Sequence, residues 1–583
     1  MTGSMRPVAL AALLAALLPL TLCRASPPRP RLVLLYATCT LNREHLAPYG
    51  KDVRYTPNLA AFARESVVFQ RHQTETEQSG PAFASILSGA QVDRHRVFRH
   101  PARLPDDLYL AAEAFAAQGF ETHFWSGHPM AAAELNYAQG VRPENVERRV
   151  PGVANLYELT ANDASFARIL ERLKREPAHR AYVQVLFTIT HSPYTPVDPR
   201  AVADFRREYP QEWPALPDDE VRRLVRFYEA NYLRLQWDFP SVVRENRMDA
   251  AEVAKLAQVA EAYYKVSVRL LDHCFGRLVD TIREAGLLDE SLIAFTADHG
   301  EEMYRDETLF KWTHGLEIVP DAVQVPLLVR LPRGRSAGRY EGVSRSIDVY
   351  PTLSGLSGFR VGANAGVDGV DLSKAVLGQE PPPSLRAFSH TTLLGPELVD
   401  QFKGWLVARY YPSTAPDLMW VSVRDKDLYA RYRKLDPDRW GVDLADLGAP
   451  GRPAVAFDPE NRRHRELARE LEGYRASLLA AYARSASEPS SRTARCSSAS
   501  ARSATSSRAS GAPYRERACH SSAVREPAAR SCTQRNGSTR RPLRSSAASA
   551  PGPDTTVNPA SSSDRPTQWP SQTWSCRRRA SDE

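Results

Sequence analysis

The chain has 583 residues, a net charge of +8 and 43% hydrophobic residues, which is ordinary for a globular protein. The positive charge belongs to residues 485–583, which contain 16 arginines, no lysine and seven acidic residues. The preceding 484 residues therefore carry a net charge of only −1. This argues against a nucleic-acid-binding body. Four of the seven cysteines also lie in this tail, which excludes a disulfide-stapled scaffold for the rest.

The first 25 residues have the order of a secretory signal. A short basic segment ending at Arg6 precedes an apolar run from Val8 to Leu22, and Ala25 offers a small residue before a cut. The run is short for a membrane span. We therefore predict export to the periplasm or the cell exterior, with anchoring by an uncleaved segment as the alternative. Residues 26–30 are predicted to be a linker, and no second span is expected.

Continuous apolar runs along the next part of the chain predict strands that are buried on both faces. Thr56 and Pro57 predict a helix start, with Thr56 as the N-cap and the helix continuing through Phe62. A long amphipathic pattern predicts a helix from Ala251 to Ala285. Strands that alternate with helices predict an α/β domain with a mostly parallel sheet over residues 31–384. The predicted strands are Leu32–Tyr36, Tyr182–Thr188, Ser291–Thr296 and Val325–Leu331.

The pattern changes after residue 384. Trp405–Tyr410 and Met419–Val423 predict short antiparallel strands, and Arg463–Tyr482 predicts an amphipathic helix. We therefore expect a small α+β subdomain over residues 385–484. Residues 485–583 contain no Lys, Ile, Phe or Met, so they cannot bury enough apolar surface to fold, and we predict disorder. The Ser, Arg, Ala and Pro richness of this tail also suits translation out of frame.

Chemically useful side chains follow the predicted strands. Cys39 comes after the first run, His191 after the second and Asp298-His299 after the third, and His314 lies before the fourth. Ligands of parallel α/β sheets bind beyond the carboxyl ends of the strands, so these side chains are expected to converge. A carboxylate next to an imidazole is a typical pair of metal ligands. The sequence therefore predicts a metal-containing site at this edge.

Several segments occur in an order that resembles the sulfatase family of the alkaline phosphatase superfamily. They include Ser79-Gly-Pro-Ala-Phe-Ala-Ser85, Phe295-Thr-Ala-Asp-His-Gly-Glu-Glu302 and Ile347-Asp-Val-Tyr-Pro-Thr-Leu353. The resemblance runs from about Arg31 to Tyr482. It implies a three-layer α/β/α sandwich that hydrolyses sulfuric or phosphoric esters of small molecules or glycans with a divalent cation. The oligomeric state is left open.

The resemblance also assigns roles to individual residues. Ser79 falls on the nucleophile position, and the helix that follows it is expected to help hold an anion. His191 and His314 are expected to contact the transferred group and to take part in catalysis, and His95 is expected to bind substrate. The expected metal ligands are Asp298, His299 and Cys39.

Three departures from the family pattern shape these expectations. Phe83 stands where the family has an arginine, so we expect Ser79 to remain an unmodified serine. Cys39 stands where the family has a metal-binding aspartate, which favours Zn or Mn over Ca or Mg if the sulfur is a ligand. Ile189 replaces a usual acidic residue.

Other interpretations of the same residues stay open. Ser79 could serve only as a helix N-cap. Cys39 could be a small buried apolar residue, and His191 and His314 could be hydrogen-bonded core histidines. The whole protein could then be a catalytically degenerate sulfatase-fold protein that binds an anionic glycan or a partner.

Overall fold

The computed structural model describes residues 29–99, 101–148, 164–306, 308–391, 419–436 and 439–487. All of these residues belong to one unit defined by its internal contacts. The predicted signal segment, the predicted strand Trp405–Tyr410 and the tail beyond Ser487 lie outside the described residues. Within the described ranges, no helix is both long and apolar enough to cross a membrane.

Eight strands of the described chain form one sheet in the order β4-β3-β5-β1-β6-β7-β2-β8. The predicted runs at Leu32, Tyr182, Ser291 and Val325 all correspond to strands of this sheet. The strands are β1 (Leu32–Thr38), β2 (Val67–Gln73), β3 (Glu121–Ser126), β4 (Val146–Arg148), β5 (Ala181–Phe187), β6 (Ser291–Ala297), β7 (Leu327–Arg330) and β8 (Gly338–Arg345).

The sheet is parallel except at β7, which runs antiparallel to both of its neighbours, β6 and β2. Among its described residues, the connection from Ala297 to Leu327 contains only the short helix Pro320–Val323. A parallel return would need a crossover that carries the chain back along the sheet, usually through a long helix. This connection instead turns at the carboxyl edge and brings the chain back in the opposite direction.

Helices surround the sheet. In β1, Leu34 packs in one apolar core while Val33 and Leu35 pack in another, because successive side chains point to opposite faces. The helices in chain order are α1 (Pro57–Arg64), α2 (Ser79–Ser88), α3 (Val92–His95), α4 (Ala111–Ala117), α5 (Ala164–Arg175), α6 (Pro199–Glu208), α7 (Asp218–Trp237), α8 (Phe239–Glu245), α9 (Ala250–Glu284), α10 (Pro320–Val323), α11 (Val349–Leu356), α12 (Ser373–Val376) and α13 (Arg462–Ser487).

The two apolar cores define the layers of the fold. Residues of α1, α5, α6, α7, α8 and α9 pack in the core on the face of Leu34, and residues of α2, α4, α11 and α12 pack in the core on the face of Val33. The protein is therefore an α/β/α sandwich with a mostly parallel central sheet, which confirms the predicted fold class.

The start of α1 corrects one prediction. Thr56 occupies the capping position, but its side chain does not cap the helix. Its hydroxyl instead accepts a hydrogen bond from the amide of Ala47 at 2.8 Å. The capping group is the buried Asp272 of α9, whose carboxylate accepts from the amides of Asn58 (3.2 Å) and Leu59 (2.7 Å). A carboxylate at a helix start satisfies amides that have no acceptor within the helix.

A separate antiparallel sheet of five strands follows in the C-terminal part, in the order β13-β12-β11-β10-β9. Leu467, Leu471 and Leu478 of α13 pack in one apolar core with Val421 and Val423 of β10. The predicted strand near Met419 and the predicted helix near Arg463 thus correspond to β10 and α13. The strands are β9 (Ala387–His390), β10 (Val421–Asp425), β11 (Leu428–Asp436), β12 (Arg439–Asp446) and β13 (Ala454–Val455).

Candidate active site

The ends of the three central strands bring the candidate residues together. β1 lies between β5 and β6, and Thr38 is in register with Phe187 on one side and Ala297 on the other. Cys39 and Asp298, which follow these strand ends, therefore lie at the same edge of the sheet. The amide of Cys39 donates to the carbonyl of Phe187 at 2.9 Å, and its carbonyl accepts from the hydroxyl of Thr190.

The turn after Cys39 is strained and is tied to the neighbouring loop. Thr40 has a φ of 52°, a conformation that a β-branched residue rarely adopts. Its amide donates to Asp298 Oδ1 at 3.1 Å, and its carbonyl accepts from the hydroxyl of Tyr264 at 2.8 Å. Strain of this kind persists where the surroundings hold it in place, and it is concentrated at functional sites.

Ser79 is the first residue of α2, and the capping position is Gln78. The interpretation of Ser79 as an N-cap is therefore wrong. The Ser79 hydroxyl lies 3.2 Å from His299 Nε2 and 3.3 Å from Cys39 Sγ. His299 Nδ1 lies 2.8 Å from the carbonyl of Gly300 and must donate to it, which leaves Nε2 to accept the Ser79 proton.

Cys39, Asp298 and His299 form the candidate metal site. Their ligand atoms all lie within 4.8 Å of one another, and all three residues are fully buried. Asp298 Oδ1 accepts from the amides of Thr40 and His299, whereas Asp298 Oδ2 is buried and has no hydrogen-bond partner among the described residues. A ligating histidine commonly donates its second nitrogen to a backbone carbonyl, as His299 does here. The three residues therefore fit a divalent cation.

Burial shifts the protonation equilibria of all three residues. Burial raises the pKa of Asp298 to about 6, and the amides of His299 and Thr40, which donate to its carboxylate, partly offset this rise. Burial also raises the pKa of the Cys39 thiol well above its usual range, and the Asp298 carboxylate adds to this effect. Burial, together with the neighbouring His314, lowers the pKa of His299 well below its usual range. A cation would reverse the effect of burial on both acids.

His191 and His314 lie next to this cluster. The ring centroids of His299 and His314 are 4.4 Å apart, and those of His191 and His314 are 5.2 Å apart. His191 Nδ1 donates to the carbonyl of Ser192 at 2.6 Å, and burial, then His314, lowers the pKa of His191. The structure thus brings five of the predicted residues together with Ser79.

Glu301 is a site residue that sequence reasoning missed. It is fully buried, and its Oε1 lies 3.2 Å from Nδ1 of His314. A carboxylate at this position fixes the orientation of the imidazole. The acidic pair after His299 was visible in the sequence, but nothing there identified which acid turns toward His314.

His128 is a second residue that the sequence analysis missed. Its Nδ1 accepts from the amide of Met130 at 3.1 Å, and its Nε2 lies 3.3 Å from Cys39 Sγ. The ring of Phe83 packs edge-on against it, with the centroids 5.4 Å apart. His128 follows the carboxyl end of β3, so the strand-end rule would have found it if the polar strand Glu121–Ser126 had been recognised.

His95 occupies a different environment. It is fully buried, its Nε2 pairs with the hydroxyl of Ser85 at 3.1 Å, and its Nδ1 accepts from the amide of Val97 at 3.1 Å. Burial lowers its pKa to about 3. Both ring nitrogens are thus occupied, and none of its hydrogen bonds among the described residues reaches Ser79. Substrate binding by His95 stays a prediction.

An α/β/α sandwich with these residues at the carboxyl edge of its sheet defines a protein of the alkaline-phosphatase-like class. The chain matches the family Sulfatase over residues 33–359, more than half of its length, and it belongs to this family. It is 25% identical to choline-sulfatase from Rhizobium meliloti over 389 residues, which cover 60% of this chain and 72% of that protein.

Other relatives share the fold. A multifunctional alkaline phosphatase superfamily protein from Trinickia caryophylli is 24% identical over 51% of this chain and 67% of its own length. The solved phosphonate monoester hydrolase from Silicibacter pomeroyi matches with a TM-score of 0.52 and 20% identity, over 76% of this chain and 94% of that one. The sequence-based identification of the family is confirmed, and its homologues include sulfuric ester hydrolases.

Proposed function

We propose that this chain is an exported hydrolase of sulfuric or phosphoric esters, in which the unmodified hydroxyl of Ser79 is the nucleophile. The observation that carries the proposal is the position of the Ser79 hydroxyl, 3.2 Å from His299 Nε2 at the candidate metal site. Cys39, Asp298 and His299 would hold a divalent cation. When bound, the cation would withdraw charge from an ester oxygen and favour the ionised nucleophile.

The first turn of α2 suits an anionic substrate. Amides at the start of a helix have no acceptor within the helix, and the helix dipole favours negative charge there. Ser79 is the first helical residue, so an ester group in line with its hydroxyl would lie close to these amides. They would stabilise the charge that develops on the ester oxygens.

His299 Nε2 can serve one purpose at a time. It can accept the Ser79 proton, or it can bind the cation through the same lone pair. With this nitrogen occupied as a ligand, His191 and His314 are the neighbouring groups that can hold a proton. One of them would accept the Ser79 proton and return it to the leaving group, and the other would contact the ester oxygens. Glu301 would orient His314 for this task.

The substrate class follows from the chemistry and from the relatives. Choline-sulfatase and an ulvan-active sulfatase are similar proteins, and the Silicibacter structure is a phosphonate monoester hydrolase. We propose a sulfate or phosphate ester of a small molecule or glycan. An unmodified serine would form a covalent ester intermediate with the transferred group, and water must hydrolyse this intermediate. This favours phosphoester-like chemistry.

A non-catalytic binding protein is the second candidate, and two observations favour it. Ser79 is only 2% exposed, and Phe83 occupies a position where the family pattern has a charged arginine. Such a protein would bind an anionic ester or glycan without turnover.

The test uses the purified full chain, stripped of metal and then supplied with Ca²⁺, Mg²⁺, Mn²⁺ or Zn²⁺. Turnover of an aryl sulfate or an aryl phosphate with at least one metal is expected, and Ser79→Ala should abolish it. Ser88→Ala, at the other end of α2, is the matched control and should retain activity. Binding of metal without turnover of either ester would refute the hydrolase proposal and favour the second candidate.

Two further measurements test the finer points. Mass spectrometry of the peptide containing Ser79 should find unmodified serine, and a formylglycine at this position would contradict the proposed nucleophile. Fractionation of expressing cells should find the protein outside the cytoplasm with the N-terminal segment removed. Retention of the uncleaved chain in the cytoplasm would overturn export.

A further inference from the structure

The candidate metal site contains one soft ligand atom, the sulfur of Cys39, and that sulfur has a dedicated hydrogen-bond partner. We propose that Cys39 and His128 form a sulfur-centred pair that makes the site selective for thiophilic cations such as Zn²⁺ over Ca²⁺ and Mg²⁺. In this pair Cys39 is a ligand and His128 is a positioning residue. The inference rests on the metal site of the proposed function.

The position of the sulfur is fixed by the backbone around it. The amide of Cys39 donates to the carbonyl of Phe187 at 2.9 Å, and its carbonyl accepts from the hydroxyl of Thr190. The side chain is fully buried. Its Sγ contacts Ser79 Oγ and His128 Nε2, each at 3.3 Å. A small apolar filler would not need polar contacts on two sides, whereas a preorganised ligand does.

The hydrogen-bond direction at His128 follows from its other nitrogen. Nδ1 accepts from the amide of Met130 at 3.1 Å, so the hydrogen of the neutral imidazole is on Nε2. That hydrogen is directed at Cys39 Sγ. When a cation binds, the S–metal bond replaces the S–H bond and the thiol proton leaves to solvent. The Nε2–H then donates to the thiolate and orients its remaining lone pairs.

Phe83 supports the imidazole from the side. Its ring meets that of His128 edge-on, with centroids 5.4 Å apart, and it is fully buried. An apolar ring at this place limits the rotation of the imidazole. Such outer contacts of a metal site commonly set the orientation of a ligand and the access of solvent.

The ligand set then determines the class of cation. Asp298 Oδ2 and His299 Nε2 are an oxygen and a nitrogen donor, and Cys39 adds sulfur. Ca²⁺ and Mg²⁺ prefer oxygen ligands, whereas a thiolate with imidazole is suited to Zn²⁺ and similar ions. Restoring an oxygen ligand through Cys39→Asp should therefore reverse the preference.

The experiment measures metal binding by the full chain independently of activity. With Co²⁺ as a spectroscopic probe, the wild type should show a sulfur-to-cobalt charge-transfer band, and Cys39→Ser and Cys39→Asp should lose it. In competition with a chelator, His128→Leu should weaken Zn²⁺ binding by about 10- to 100-fold. His128→Gln, which can still donate an N–H, should recover part of the loss.

Two controls isolate the interaction. His123→Leu, on the same strand-to-loop segment but paired with Glu121, should leave Zn²⁺ binding unchanged. In a Cys39→Ala background, His128→Leu should have no further effect on Zn²⁺ binding, because position 39 no longer has an acceptor for the His128 hydrogen bond. Equal effects of His128→Leu with and without Cys39 would overturn the positioning role even if the variant folds poorly.

The outcomes also separate this inference from the proposed function. Ester turnover with Ca²⁺ or Mg²⁺, with no charge-transfer band and with equal Zn²⁺ affinity in Cys39→Ser, would overturn the inference and leave the hydrolase proposal in place. A charge-transfer band without turnover of any ester would support the inference and refute the hydrolase proposal.

Discussion

The hydroxyl of Tyr264 connects the helix layer to the strained turn of the active site. It accepts from the amide of Asn42 and donates to the carbonyl of Thr40, each at 2.8 Å, and all three residues are buried. Thr40 in turn donates to Asp298 Oδ1 at 3.1 Å. We predict that Tyr264→Phe lowers both the stability of the protein and its affinity for metal.

The size of the effect follows from the two backbone groups that lose their partner. A buried donor or acceptor left without a hydrogen bond costs about 1–3 kcal/mol, so the pair gives a loss of roughly 2–6 kcal/mol. Part of this loss is recovered if Thr40 relaxes from its φ of 52°, since such a conformation stores about 1–3 kcal/mol. Relaxation would move the Thr40 amide away from Asp298, which explains the expected loss of metal affinity.

Denaturant unfolding of the metal-free protein measures the stability, and chelator competition measures the metal affinity. Tyr36→Phe is the matched control because Tyr36 is equally buried, lies in β1 and has no hydrogen-bond partner for its hydroxyl among the described residues. Because its hydroxyl is already unpaired, Tyr36→Phe should leave the free energy of unfolding unchanged or raise it by about 1–3 kcal/mol. Equal unfolding midpoints for the two variants at equal m-values would refute the reasoning.

Three further predictions concern other parts of the fold. Burial raises the pKa of Asp272 to about 6 from 3.8, so its proton stabilises the fold at acid pH and that stability is lost as pH rises through about 6. Between pH 3.8 and 7, the free energy of unfolding of the wild type should fall by about 3 kcal/mol relative to that of Asp272→Asn. A difference between the two free energies that does not change with pH, measured by denaturant unfolding, would contradict this. Gly300→Ala should reduce turnover and metal binding, because the added Cβ would lie 1.9 Å from the carbonyl of Asp321; unchanged metal affinity would show that the loop adapts. Leu471→Ala should cost about 2–5 kcal/mol in unfolding experiments, because the side chain is fully buried between α13 and β10, and a loss below about 1 kcal/mol would contradict that packing.

The sequence predicted the main helix and four of the eight strands of the sheet, because their signals are local. Continuous apolar runs identify strands buried on both faces, and α9 repeats its apolar stripe over 35 residues. The direction of β7 could not be predicted, because an apolar run does not indicate which way a strand runs in the sheet. The turn at the carboxyl edge depends on tertiary contacts. The polar strand β3 was missed for a related reason, because its residues do not form such a run.

Capping and orientation depended on contacts distant in sequence. Thr56 has the expected residue type for a helix N-cap, yet Asp272 from α9 supplies the acceptor. In the site, the strand-end rule located Cys39 and Asp298, but it did not show that Glu301 faces His314. Packing between elements determines both the capping group of α1 and the orientation of Glu301. A local sequence pattern does not contain this information.

The contacts of Cys39 and Phe83 suggest one explanation for both departures from the family pattern. Considered separately, Cys39 and Phe83 each suggest loss of a functional residue. In the fold they are joined through His128, which donates to the sulfur of one and packs against the ring of the other. Independent loss of two residues gives no reason for a third, distant in sequence, to engage both of them. A buried polar group that has acquired a matched partner is more consistent with a rebuilt site than with a decaying one. The contact pattern therefore favours an altered metal preference over a loss of metal binding.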